Sequence, residues 1–211
     1  TKGWPTLHGS LAIDPQVSWD IDAVLVERLR QSGAILIGKT ETPEFAWATT
    51  TCSKLHGVTR NPWNVELTPG GSSGGSSAAV AAGMVVMATG TDSGGSIRGP
   101  ASHCNVVGFK PSFGLVPVWP VSPLLHLEHC GPIARTVRDI ALALNIMAGF
   151  DSRDGSSVSS KKTDYLGTIS QKIKGLRIGY DPNLDVLAKC PEMITSYKEA
   201  RTIFKMGGAE V

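Results

Sequence analysis

Gly70-Gly71-Ser72-Ser73-Gly74-Gly75, followed by Gly90-Thr91-Asp92-Ser93-Gly94-Gly95-Ser96-Ile97-Arg98, is the part of the 211-residue chain that decides its reading. Glycine lets the backbone turn through positive φ and brings N–H groups close to a partner. Successive N–H groups in such a turn form a nest for an anion. Such a nest can hold the oxyanion of an acyl-transfer intermediate, and losing one donor there typically slows the reaction by ~10²–10³. Ser96, directly after Gly94-Gly95, stands where a nucleophile beside those donors would stand. A tight turn plus a capped helix would use the same residues, and spacing alone does not separate the two readings.

Outward from this core, the chain alternates helical and strand patterns. Residues 20–32 read as a helix with Asp20 as N-cap, with Ile21, Val24, Leu25 and Leu29 on one face and Gly33 closing it. Ala34-Ile35-Leu36-Ile37 reads as a strand buried on both faces. After a Pro/Gly/Ser loop at 66–75, a small-residue run from Ser76 reads as a closely packed helix. Val85 to Ala88 either ends that helix or starts a strand. Thr136 and Asp139 form a capping box opening a helix with Val137, Ile140, Leu144 and Met147, ending near Gly149. Residues 151–164 read as an exposed loop. Gly175 to Tyr180 reads as a strand, Pro191 as the first residue of a helix closed by Gly207-Gly208, and Ala209 as the start of another strand. This alternation specifies an α/β fold. Thr1-Lys2-Gly3-Trp4-Pro5 is loop-like and the chain stops at Ala209-Glu210-Val211, so both ends read as cuts in a longer domain.

Composition narrows the function. The chain is 41% hydrophobic, with 20 basic and 18 acidic residues and no basic run, which gives no case for a nucleic-acid or anionic-membrane partner. No apolar run approaches the ~20 residues a membrane span requires. Cys52, Cys104, Cys130 and Cys190 share no CxxC spacing, and reduced thiols in a cytoplasmic protein are the simpler reading.

Two local motifs compete with the core. Gly33 to Thr40 matches GxxxxGK[ST], but its middle residues read as the strand itself and Pro43 interrupts any helix after Thr40, so nucleotide binding is set aside. Gly71-Ser72-Ser73-Gly74-Gly75 satisfies GxSxG. A nucleophile elbow needs a strand before it, which Thr68-Pro69-Gly70 supplies poorly, and a later acid and His, for which Asp92 with His103, His126 or His129 are candidates. His126, His129 and Cys130 lack a fourth metal ligand and read as loop residues.

The two glycine/serine segments, with Pro100-Ala101 and Gly108-Phe109-Lys110-Pro111 after them, resemble the amidase signature family. Flanking matches run from Gly33-Ala34, Gly38-Lys39-Thr40, Glu44-Phe45 and Asn61-Pro62-Trp63 to Gly131-Pro132-Ile133-Ala134-Arg135-Thr136. The resemblance covers residues 1–150 strongly and the rest weakly. It implies one incomplete domain over 1–211, with a signature core at 1–150 and the start of a further α/β part at 151–211, around a mixed central sheet flanked by helices. It implies Ser96 as nucleophile, Ser72 as a bridging serine after a cis peptide, and the N–H groups of Ser93, Gly94, Gly95 and Ser96 as oxyanion hole. Ser73, Ala46 and Trp47 would meet substrate. The base would be a Lys a few residues ahead of Thr1, leaving Lys2, Lys39 and Lys110 outside that role. Asp92 and Arg98 are expected to pair and stiffen the turn, and Cys104 to be packing. Asn105 and Gly99 depart from the family's commoner choices. The implied activity is hydrolysis of a small-molecule amide without metal or cofactor, with a homodimer as one assembly. A non-catalytic relative, a component of an amidotransferase or an α/β-hydrolase esterase are the alternatives.

Overall fold

The computed structural model describes residues 1–159, 163–181 and 191–211, which fall into two compact units, Thr1–Leu166 and Gly167–Val211. The expected role of Cys190 as a reduced thiol lies outside the described residues.

The first unit is organised by a three-stranded antiparallel sheet. After a small hairpin of β1 (Cys52–Ser53) and β2 (Gly57–Val58), the strands β3 (Met87–Thr91), β4 (Val107–Gly108) and β5 (Cys130–Ala134) pair in the order β3-β5-β4. The register sets Thr91 against Cys130 and Met87 against Ala134. Helices α1 (Val24–Gln31), α2 (Gly74–Ala81), α3 (Arg98–His103) and α4 (Val137–Met147) complete the unit, giving the α/β fold expected. α5 (Tyr165–Thr168) follows.

Two apolar clusters hold these elements. One joins α1 and α4 through Leu25, Leu29, Ile140, Leu144 and Met147. The other is Val80 of α2, Ile97 and Ile133 of β5, all fully buried. Burying side chains of this size stabilises by about 1.5–3 kcal/mol each. Ile97 follows Ser96 directly, so this cluster anchors the serine-bearing loop to the sheet.

Local chemistry explains where elements begin. Thr136 Oγ1 accepts from the Asp139 N–H at 3.1 Å, the capping box read from sequence. α1 starts later than expected. Its N-cap is Ala23, with no side-chain hydrogen bond, because the Val24 N–H donates to the Trp119 carbonyl at 3.1 Å and needs no cap. Asp20 therefore does not cap it, and Ile21 lies on the surface at 51% exposure. α2 starts at Gly74, two residues before Ser76. A Cβ on Gly75 would overlap the Glu41 carbonyl oxygen, so only glycine lets the helix sit this close.

The Ala34–Ile37 strand does not form: the segment has no regular structure, and Ile35 is 88% and Ile37 69% exposed. Apolar character marks a strand only where a partner supplies hydrogen bonds, and none of the described residues does. The Gly33–Thr40 match is followed only by a 3-10 turn, Glu44–Ala46. The Lys39 ammonium donates to the Pro5 carbonyl at 2.8 Å and to the Thr6 hydroxyl, so it is held by its own chain.

In the second unit, α6 covers Pro191–Met206, the helix expected from Pro191 onward. The two flanking strands are reduced to an isolated parallel bridge between Arg177 and Glu210. Among the described residues, no helix is long and apolar enough to cross a membrane.

Candidate functional site

The two glycine/serine segments meet at the end of β3. Ser73 Oγ accepts from the Thr91 N–H at 3.2 Å and donates to the Thr91 carbonyl at 3.3 Å. The Ser73 N–H donates to the Ser96 carbonyl at 3.1 Å. Ser73 thus stitches the segment carrying Ser72 to the segment carrying Ser96, with its own hydroxyl committed to Thr91. The Gly71–Ser72 peptide is cis. A Cβ on Gly71 would lie 2.7 Å from the Ala48 carbonyl oxygen, so glycine is required where the backbone of residues 48–50 closes over it. Ser72 is buried at 2% exposure, and Ser96 is half-buried. Among the described residues, no hydrogen bond engages the hydroxyl of either serine.

The loop between them is wound around one carboxylate. Asp92, fully buried, accepts from the N–H groups of Gly95 (2.7 Å), Ile97 (3.1 Å) and Arg98 (3.3 Å). The Arg98 guanidinium adds a fork at 3.0 and 2.9 Å. Burial alone would raise this carboxyl, but Arg98 and the three N–H groups outweigh it and hold the pKa at about 2. The Asp92–Arg98 pair is the one read from sequence, and its main effect is on the backbone.

That winding changes the donor count. Of the four N–H groups expected to face a reacting centre, the one on Gly95 faces Asp92 instead. Those of Ser93, Gly94 and Ser96 engage nothing among the described residues. No heavy atom lies within 4 Å of a Cβ placed on Gly94 or Gly95, which leaves the loop open to an incoming group. Asp92→Asn keeps the shape but turns one acceptor into a donor facing other donors. A loss of about 3 kcal/mol is expected, measurable by denaturant unfolding at pH 7. Because the folded carboxyl is depressed, its stabilisation is complete above about pH 4, the unfolded value, and fades as pH falls towards 2. The wild-type advantage over Asn should therefore shrink at pH 3.

The remaining sequence candidates are distributed around this core. Ala46 ends the 3-10 turn with φ +57°, and Trp47 is 76% exposed. They precede the residues that close over Gly71. Asn105, with φ +54°, occupies a left-handed position that Asn tolerates better than most residues. Burial pushes the thiols of Cys104 to about 11 and of Cys130 to about 12, which suits packing and not nucleophilic attack. Lys110 donates to the Pro111 carbonyl at 3.0 Å.

The elbow geometry is not assembled. A helix follows Ser73, but its hydroxyl is engaged by Thr91, and Asp92 is engaged by Arg98. His129 Nδ1 lies 3.0 Å from the Asp92 carbonyl oxygen, and His126 and His129 each meet the Phe113 ring edge-on. Among the described residues, no hydrogen bond joins a serine hydroxyl to a histidine ring, and no group of three potential metal ligands occurs. One participant escaped sequence reasoning: Glu128 accepts from the Ser93 hydroxyl at 2.9 Å across 35 residues. No spacing rule marks so distant an acid.

Comparison with known proteins gives the same direction. A family model described as Amidase matches residues 1–211. The A-subunit of the Glutamyl-tRNA(Gln) amidotransferase of Syntrophobacter fumaroxidans is 46% identical over all of this chain and 43% of its own length. A crystal structure of a bacterial aryl acylamidase of the amidase signature family superposes with a TM-score of 0.91 at 36% identity, covering 100% of this chain and 44% of that one. The peptide amidase of Stenotrophomonas maltophilia superposes with a TM-score of 0.83 at 36% identity over 97% of this chain and 43% of its own. The chain thus spans less than half the length of these relatives.

Proposed function

Because this chain belongs to the amidase signature family, we propose that it carries the nucleophile side of a serine site that hydrolyses carboxylic amides. Ser96 Oγ attacks the amide carbonyl carbon while its proton passes to Ser72 Oγ, whose own proton passes to a neutral lysine amine from outside these 211 residues. The tetrahedral oxyanion is held by the N–H groups of Ser93, Gly94 and Ser96, with Gly95 positioned through Asp92. The C–N bond then breaks, and the leaving amine takes a proton back along the same relay. Water attacks the acyl-enzyme and releases the acid, restoring Ser96. Ala46 and Trp47 line the approach of the substrate, and Ser73 acts as the tie between the two segments. No metal or cofactor enters these steps.

The observation that carries this reading is that two serine hydroxyls without a hydrogen bond, those of Ser72 and Ser96, lie on segments joined by the Ser73–Ser96 backbone bond, and that the N–H groups of Ser93, Gly94 and Ser96 on the second segment are also unengaged among the described residues. Its test is to replace each of His8, His56, His103, His126 and His129 by Ala or Gln in the full-length protein. Amide hydrolysis should stay within about tenfold of wild type throughout. Loss of about 10³ or more on one replacement would indicate an imidazole base and overturn the relay.

The 46% identity to the A-subunit of an amidotransferase favours a second reading of the same chemistry. In it the ammonia released at Ser96 is passed to a partner protein. Glutamine hydrolysis that accelerates on adding such a partner would support it.

A further inference from the structure

Beside the Ser96 loop lies a cavity of about 200 Å³ whose lining includes Phe113, Val118, Ser122, His126, Glu128 and Asp154. Its wall is tied to the loop twice. Asp92 and His129 exchange backbone hydrogen bonds at 2.8 and 3.2 Å, and this sets Ser93 opposite Glu128. The Ser93 hydroxyl then donates to Glu128 Oε2 at 2.9 Å, and the Ser122 hydroxyl donates to the same oxygen at 3.2 Å.

Glu128 is only 9% exposed, yet its Oε1 accepts no hydrogen bond among the described residues. Oε2 is fully used, whereas Oε1 keeps contact with solvent and is free to accept from an incoming donor. Asp154 differs: its Oδ2 takes the Val118 N–H and its Oδ1 the Ser156 N–H, both at 2.8 Å. Each of its oxygens thus already has one backbone donor, whereas Glu128 Oε1 has none. The lining contains two carboxylates and no Lys or Arg, and the exposed Phe113 ring adds a face that attracts cations.

We propose that this cavity binds a primary ammonium group, with Glu128 Oε1 as its acceptor, and that the enzyme therefore prefers amides carrying a protonated amine. This rests on the amidase reading for the word amide, but the binding site itself stands on the cavity.

Two arms test it separately in the full-length protein. In the first, n-butylammonium and n-butanol are titrated by NMR. The ammonium should bind at least tenfold more tightly, as a charge-assisted hydrogen bond requires. Glu128→Gln should bring the two within threefold, and Glu128→Asp should keep the preference. Equal binding of both probes to the wild type, or a preference that survives Glu128→Gln, would overturn the site.

The second arm compares 4-aminobutanamide with its neutral isostere pentanamide. Glu128→Gln should raise KM for the cationic amide at least tenfold more than KM for pentanamide, while any change in kcat that arises through the Ser93 contact falls equally on both amides. An equal effect on both amides would refute selection by charge. Failure of wild type to hydrolyse either amide would count against the amidase reading, while the first arm still decides the site.

Discussion

Ser96→Ala is expected to lower kcat for amide hydrolysis by about 10⁴–10⁶ in the full-length protein, with KM nearly unchanged. The substitution removes one oxygen and nothing that shapes the loop. Asp92 still gathers the N–H groups of Gly95, Ile97 and Arg98, and the fully buried Ile97 still anchors the following residue. The Ser96 carbonyl still accepts from Ser73. Because the Ser96 hydroxyl makes no hydrogen bond among the described residues, its removal leaves no partner unsatisfied, and stability should change by no more than about 0.5 kcal/mol. A large kinetic loss without a stability loss distinguishes a nucleophile from a packing residue. A variant retaining a tenth of wild-type activity would place the chemistry elsewhere.

Ser72→Ala is expected to cost about 10²–10⁴ in kcat, the range for a lost proton-transfer group. Ser72 is 2% exposed and its hydroxyl makes no hydrogen bond among the described residues, which leaves it free to pass a proton. Ser73, one residue later, shows the contrast: its hydroxyl bonds both the N–H and the carbonyl of Thr91. If Ser72 relays a proton, the Ala variant should lose kcat for amides more than for activated esters. A phenolate leaving group needs no proton, and an amine does. Equal losses on both substrates would assign Ser72 to packing.

Sequence patterns reveal elements whose signals are local. The Thr136–Asp139 cap depends on residues within a few positions, and it forms as read. Ala34–Ile37 depends on a distant partner to pair with, and its apolar residues carry no record of one. The start of α2 is hidden because Gly74 and Gly75 look like loop residues. What sets them in a helix is the Glu41 and Thr51 surface they press against, 34 and 23 residues away in sequence for the Gly75–Glu41 and Gly74–Thr51 contacts.

At the site, the serines and the glycines between Asp92 and Arg98 are legible because backbone turns and anion nests demand them. The Asp92–Arg98 pair is legible too. Its division of the N–H groups, with Gly95 turned inward and Ser93, Gly94 and Ser96 left outward, follows from the direction of each N–H and has no expression in residue type. Glu128 is invisible for a related reason. Antiparallel pairing of β3 with β5 carries the chain from Thr91 and Cys130 into the Asp92–His129 exchange, and only that register puts an acid against Ser93.

The most direct measurement is to label the full-length protein with a fluorophosphonate at neutral pH and locate the phosphonyl group by peptide mass spectrometry. The account predicts a single adduct on Ser96, slowed strongly in Ser72→Ala and absent in Ser96→Ala. An adduct on Ser73, or one that forms at the wild-type rate without Ser96, would contradict it.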